Sequence, residues 1–264
     1  MAHLLSAVLP RATALLGTAL LRTALALLVM LIAAVPIQAQ SPDAFVTTWE
    51  TTEAGESIFI PTAPDTDYDF TIGWGDGTTE RIEGTDPDPE HTYAEPGTYT
   101  VAIEGIFPRL FLDASTPYYH DYDDQDKGTG DPENAQKVRS VEQWGAIAWQ
   151  SMERAFAGAQ NLEGRAADTP DLSSVSSTAY MFSDAESFNQ DIGDWNVSNI
   201  SNMRFMFAFA EAFNQDIGEW DVSNVTDMSW MFVDADAFNQ DIGAWQVSNV
   251  ADMSRIFRWA VSFN

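Results

Sequence analysis

The chain has no cysteine, two lysines and three histidines, and each shortage removes a class of chemistry. Without cysteine there are neither disulfides nor thiolate metal sites to hold it together. Cations of any kind are scarce: 12 Lys and Arg face 40 Asp and Glu, for a formal net charge of −28. So anionic a surface repels nucleic acid and anionic membrane and favours cations or basic partners. It has the acid-rich, lysine-poor character of proteins from high-salt habitats, with plain solubility as the other reading. Beyond His3 in the leader, His91 and His120 are the histidines, and no G-x-S-x-G or phosphate-binding loop occurs. A catalytic reading therefore finds little to stand on. Carboxylates are plentiful, so glycan processing stays open as an alternative.

The longest apolar run, residues 24–35, is too short to span a membrane as a helix. Twelve residues rise ~18 Å against a hydrocarbon core of ~30 Å. Arg11 and Arg22 precede this run and Pro36-Ile37-Gln38-Ala39 follows it. That order is a charged region, an apolar region and a small-residue cleavage site, so residues 1–39 read as a signal peptide. An uncleaved anchor is the alternative. Cleavage removes two arginines and no acid, taking the net charge to −30. The mature chain is expected outside the cytoplasm, secreted or at the cell surface, with no membrane span and as a monomer.

Residues 40–112 read as all-β. Tyr68, Phe70, Ile72 and Trp74 alternate with Asp69, Thr71 and Gly73, which predicts a strand with one buried face. Gly75-Asp76-Gly77 and Ala94-Glu95-Pro96-Gly97 mark turns, and Tyr99, Val101 and Ile103 share a face. Short strands at this spacing predict a small β-sandwich. The segments Trp74-Gly75-Asp76-Gly77-Thr78, His91-Thr92-Tyr93 and Pro96-Gly97-Thr98-Tyr99-Thr100-Val101 resemble the signature of PKD domains, which implies an immunoglobulin-like sandwich of an exported protein. That resemblance implies spacing, adhesion or glycan contact and no reaction. His91 is expected to be a structural hydrogen-bonder.

Residues 113–137 form an acidic insertion or linker without apolar periodicity. Its acids Asp121, Asp123, Asp124, Asp126 and Asp131 are a candidate for weak Ca2+ binding. No D-x-[DN]-x-[DN]-G pattern starts from any of them, and a solvated linker is the plainer reading. No other cofactor is expected.

From 138 to 264 one phrase recurs. It occupies 181–205, 206–230 and 231–255, opens again at Ile256-Phe257 and reaches Phe263-Asn264. The step from Met181 to Met206 to Met231 is 25 residues, the mark of units that bury apolar surface only against their neighbours. An irregular first unit carries Trp149, Met152, Ala155 and Phe156 where the next has Val175, Thr178, Met181 and Phe182. Met228, Met231, Phe232 and Ala235 lie at i, i+3, i+4 and i+7 and predict a short helix, with Thr226 or Ser201 as its cap. Gln215-Asp216-Ile217 predicts a strand pairing with Gln190-Asp191-Ile192 and Gln240-Asp241-Ile242. The fold class expected is α+β and multidomain: a sandwich followed by a β/α solenoid of 25-residue coils. The pattern MFxxAxxFNQDIGxWxVSNVxDM resembles the repeats of BspA-like leucine-rich-repeat surface proteins. The resemblance implies a bacterial surface or secreted protein acting in adhesion or protein contact.

Several rows follow from stacking like units. Trp195, Trp220 and Trp245 are expected as core at a corner. Asn189, Asn214 and Asn239 are expected to tie successive backbones together. Asp191, Asp216 and Asp241, if in register, need backbone N–H partners or a cation between them. Acids repeated identically are structural by default, because a catalytic pair needs two unlike environments. Tyr180, Phe205, Trp230 and Arg255 share one position, about 200° around a helix from the core-facing methionine, and form the candidate binding surface. The alternative is that these side chains lie over one another and shield the units. Partners expected are host, neighbour-cell or matrix proteins or glycans. A cation-stabilised structural spacer is the further alternative. N-terminal sequencing of the exported protein is expected to begin at Gln40; a chain retaining Arg22 would contradict the signal-peptide reading.

Overall fold

Alternating apolar residues make the central strands. In the computed structural model, which describes residues 41–114 and 130–264, β3 (Asp67–Gly73) buries Tyr68, Phe70 and Ile72 and turns Asp69 and Thr71 away. β3 lies between β4 (Thr79–Thr85) and β6 (Gly97–Ile106), and β6 pairs on its other edge with β1 (Phe45–Thr51). Trp49 stands opposite Tyr99 and Phe45 opposite Ile103. β1 is covered on its far side by β7 (Val138–Gln143), which pairs in parallel with β8 (Glu163–Gly164). The mixed six-stranded order is β4-β3-β6-β1-β7-β8, and β2 (Ser57–Phe59) with β5 (Glu90–Thr92) forms a separate two-stranded sheet.

The turn after β3 is fixed by contacts that small residues permit. Gly75 has φ +83°, and a Cβ there would meet Thr100 backbone N and O at 2.7 Å. Asp76 accepts from Thr78 N at 2.9 Å and Thr78 Oγ1 at 2.6 Å, and its other oxygen meets His91 Nε2 at 2.7 Å. His91 stacks on Trp74 at 5.1 Å, and the Tyr93 hydroxyl donates to Trp74 O at 2.7 Å. His91 is thus part of a corner. Partial burial pushes the Asp76 carboxyl up, but Thr78 and His91 outweigh it and hold it below its ordinary 3.8. Its contribution to stability is present above that value and is lost as pH falls through the lower folded pKa. Deeper inside, burial pushes the Tyr68 phenol up to about 12; it donates to Arg109 O at 2.9 Å and accepts from Ala63 N at 2.7 Å.

The expected α+β fold, a sandwich followed by a β/α solenoid, is corrected by this architecture. Strands and turns dominate, and among the described residues the helix present is the single turn Pro132–Ala135. No helix or strand recurs in the 25-residue units. Met228, Met231, Phe232 and Ala235 are all buried, but the backbone carrying them is a run of turns. Trp230 (φ 62°) and Asp234 (φ 54°) adopt left-handed conformations that an α-helix cannot contain. Alternate amides leave the unit altogether: Met228, Trp230, Phe232 and Asp234 donate to Asp252, Ser254, Ile256 and Arg258 carbonyls at 2.9 to 3.0 Å. The amides that follow Trp230, Phe232 and Asp234, those of Met231, Val233 and Ala235, close turns onto residues three back. A two-turn helix has a costly nucleus and few internal bonds, so bonds between units win. The apolar spacing reported the inner face correctly and the backbone incorrectly.

The caps move accordingly. Thr226 and Ser201 hydroxyls donate to Ser201 O and Ser176 O of the preceding unit, at 3.0 and 3.1 Å. The turn is capped one residue later, by Asn202, Asp227 and Asp252, whose Oδ1 atoms accept the N–H two residues on. These three residues and Ser177 also form the isolated parallel bridges between units. The strand expected at Gln215-Asp216-Ile217 is replaced by side-chain bonds: Gln215 Nε2 donates to Asn189 O at 3.0 Å and Gln240 Nε2 to Asn214 O at 2.9 Å.

Inside the stack two phenylalanine columns run in parallel. Phe156, Phe182, Phe207, Phe232 and Phe257 follow at 5.8, 5.8, 5.6 and 5.6 Å. Phe188, Phe213, Phe238 and Phe263 follow at 6.1, 6.0 and 5.8 Å, and each rung from Phe182 onward pairs one ring from either column about 4 Å apart. Trp195, Trp220 and Trp245 are buried at the corner; the Trp220 and Trp245 indoles donate to Ile192 O and Ile217 O. Phe207→Ala, in the middle of one column, is expected to cost about 3–5 kcal/mol. Urea denaturation measures it, and a loss below about 1 kcal/mol would contradict the packing described.

Candidate functional site

The position shared by Tyr180, Phe205, Trp230 and Arg255 is built by backbone first. Each of these residues has φ between 54° and 60° or, for Trp230, 62°, and Arg154 of the first unit has φ 58°. Bulky residues rarely adopt this region, and the surroundings must hold them there. Their amides supply the hold: Tyr180, Phe205 and Trp230 donate to Arg204 O, Ser229 O and Ser254 O at 2.9, 3.1 and 3.0 Å. The side chains consequently leave the phenylalanine core on the opposite flank.

There they form a column of their own. Tyr180 stacks on Phe205 at 4.8 Å and Phe205 on Trp230 at 5.3 Å, with ring planes 6° and 8° apart. Arg154 lies over Tyr180 at 4.3 Å, and Arg255 lies over Trp230 at 4.7 Å, so the ring stack is closed at both ends by guanidinium groups. Tyr180, Phe205 and Trp230 are 7, 9 and 6% exposed and belong to a second apolar cluster with Ala179, Ala208, Val233 and Phe209. The four predicted residues are therefore together in space, with three buried and Arg255 exposed. The rings shield the units more than they face outward. Around them Arg204 lies over Phe205 at 5.1 Å, and Arg258 lies over Trp259 at 4.0 Å, with Trp259 44% exposed.

One part of this flank had no signal in the sequence. Asp113 pairs with Arg154 at 2.7 Å, both side chains about 7% exposed, and its amide donates to Arg154 O. A buried pair of this kind is costly to break from one side, since the remaining charge is left without compensation. Asp113 stands at the start of the acidic insertion, where composition suggests only a solvated loop.

The remaining predicted residues have plain positions. Asp131 Oδ1 accepts from Glu133 N at 2.8 Å and Asn134 N at 3.3 Å, capping the single helical turn. Asp121, Asp123, Asp124 and Asp126 lie outside the described residues. Among the described residues no group of three or more His, Asp or Glu is arranged to hold a metal ion. Asp191, Asp216 and Asp241 each accept the N–H of the glycine two residues on, at 2.9 to 3.0 Å. Gly218 lies so close to the next unit that a Cβ would meet Asp241 O at 2.5 Å. Hydrogen bonds from Ser173 and Ser223, hydroxyl and amide, hold the exposed Asp171 and Asp221 below the usual carboxylate range. Asn189 and Asn214 accept through Oδ1 from Asn214 N and Asn239 N at 2.9 Å, tying successive units together.

Residues 135–264 match the model of a family described as Mycoplasma protein of unknown function, DUF285. That is a different family from the BspA-like leucine-rich-repeat proteins and PKD domains expected from the sequence, and that expectation is corrected. No curated protein and no solved structure matches the chain.

The left-handed backbone at the column generates a reversal of the usual glycine penalty. Trp230→Ala is expected to lose about 3–5 kcal/mol of stability. Trp230→Gly is expected to be more stable than Trp230→Ala by about 1 kcal/mol, because glycine adopts φ 62° without strain. Urea midpoints of the two variants decide it, and an alanine variant as stable as the glycine one or more so would contradict the geometry.

Proposed function

We propose that this is an exported, non-catalytic surface or secreted protein that acts in adhesion or protein contact. The contact surface is the flank of the repeat stack carrying Arg204, Arg255, Arg258 and Trp259 over the ring column. The observation that carries this reading is the guanidinium-on-aromatic arrangement, Arg255 over Trp230 and Arg258 over Trp259, on a chain of net charge −28. Arginine and tryptophan are the side chains that dominate protein–protein hot spots, and a preorganised guanidinium loses little freedom on binding. The column beneath serves as a rigid backing. Tyr180, Phe205 and Trp230 thus act in binding by fixing where the arginines stand.

Two further observations support contact over glycan processing. The recurring carboxylates Asp191, Asp216 and Asp241 are occupied in turns. They also sit in like environments, whereas an acid–base pair needs its two pKa values pushed apart. Export rests on the leader at residues 1–39. Among the described residues no helix is long and apolar enough to cross a membrane.

The double variant Arg255→Ser, Arg258→Ser tests the reading. Binding of the purified chain to a panel of immobilised matrix proteins and to whole cells is expected to weaken about 30-fold, with the circular dichroism spectrum and Tm retained. Undiminished binding by a folded double variant would overturn the assignment of this flank.

A further inference from the structure

Three Asn-x-Ser/Thr triplets occur within the repeats: Asn196-Val197-Ser198, Asn199-Ile200-Ser201 and Asn224-Val225-Thr226. In exported proteins this triplet is the acceptor for N-linked oligosaccharide, whose transfer requires a free carboxamide nitrogen at the surface. The three asparagines differ in that respect. Asn199 Nδ2 donates to Ser173 O at 3.2 Å and Asn224 Nδ2 to Ser198 O at 2.7 Å. Asn249 continues the row, donating to Ser223 O at 2.7 Å. These nitrogens join adjacent units, and a sugar on either would have to enter at a nitrogen already packed against the neighbouring unit's backbone.

Asn196 is differently placed. Its side chain is exposed, and it uses only Oδ1, accepting from Ser198 N at 3.2 Å and Ser198 Oγ at 2.7 Å. Among the described residues its Nδ2 makes no hydrogen bond. The two bonds to Oδ1 come from the third residue of the triplet itself, so they fix the carboxamide while leaving the nitrogen side clear. In the next two units this position is Asp221 and Gln246, so the fold does not require asparagine there. Val197 beside it is buried and anchors the bend.

We propose that Asn196 is an N-linked glycosylation site, and that Asn199 and Asn224 are not, despite carrying the same triplet. In the transfer, Nδ2 bonds to C1 of the first sugar of a lipid-linked oligosaccharide. The C1–O bond to the diphosphate breaks, the lipid diphosphate leaves with the electron pair, and the amide proton passes to a base of the transferase. The proposal rests on export, since donor and transferase act outside the cytoplasm.

The test uses the full chain in two arms. In the first, natively folded purified chain is incubated with a purified oligosaccharyltransferase and lipid-linked oligosaccharide, then digested and read by mass spectrometry. A gain of one oligosaccharide on the peptide containing Asn196 is expected, lost in Asn196→Gln and kept in Asn199→Gln and Asn224→Gln. No gain on the folded chain, or a gain at Asn199 or Asn224 instead, overturns the proposal. In the second arm, leader cleavage and recovery from the extracytoplasmic fraction of an expressing cell report export separately. An exported chain that the purified enzyme leaves unmodified defeats the site and spares the export reading; a modified but unexported chain does the reverse.

Discussion

Hydrogen bonds from alternate amides of one unit to carbonyls 24 residues further on are the constraint from which the repeat region follows. At each step between regular units four such bonds form, as from Met203, Phe205, Phe207 and Phe209 to Asp227, Ser229, Met231 and Val233. Each is worth only about 1 kcal/mol net, but left unmade and buried it costs more than that. Directing every second N–H outward along the stack forces left-handed backbone at Tyr180, Phe205 and Trp230, and again at Asp184, Phe209 and Asp234. The strain of these residues is offset by the bonds that require it. The same geometry puts phenylalanines on one flank and the second ring column on the other.

Because the units repeat without a slip in length, like side chains stack on like. For apolar rings this is favourable, and the columns of Phe182 and Phe188 run the length of the stack. Carboxylates face the opposite problem, and the chain resolves it locally: each of Asp191, Asp216 and Asp241 turns back onto its own glycine amide. Amides join units to one another, as Asn189, Asn214 and Asn239 do. At these positions unit-to-unit attachment thus falls to neutral amides and to backbone, while each recurring carboxylate is held within its own unit.

Much of this was legible from residues alone. The 25-residue period, the inward phenylalanines, the corner tryptophans and the linking asparagines could all be read, because each depends on side-chain type and spacing. The backbone could not. Apolar residues at i, i+3, i+4 and i+7 suit a helix and a ribbon of three-residue turns alike, and only the destination of the amides separates them. Nor could the position of Val138–Gln143 be read, since nothing in an isolated strand says which sheet edge it covers. At the candidate site, the shared position of Tyr180, Phe205, Trp230 and Arg255 was visible as a variable stripe, but its burial was not. At its Tyr180 end the cover is Arg154, paired with Asp113, and these two come from an irregular unit and a loop with no periodicity to betray them.

Amide hydrogen exchange on the folded chain tests the central claim most directly. The account predicts slow exchange at Phe182, Phe205, Phe207, Trp230 and Phe232, whose amides are committed to the next unit, with protection lost together on unfolding. Fast exchange at these amides, or slow exchange consistent with bonds four residues back along a helix, would contradict it.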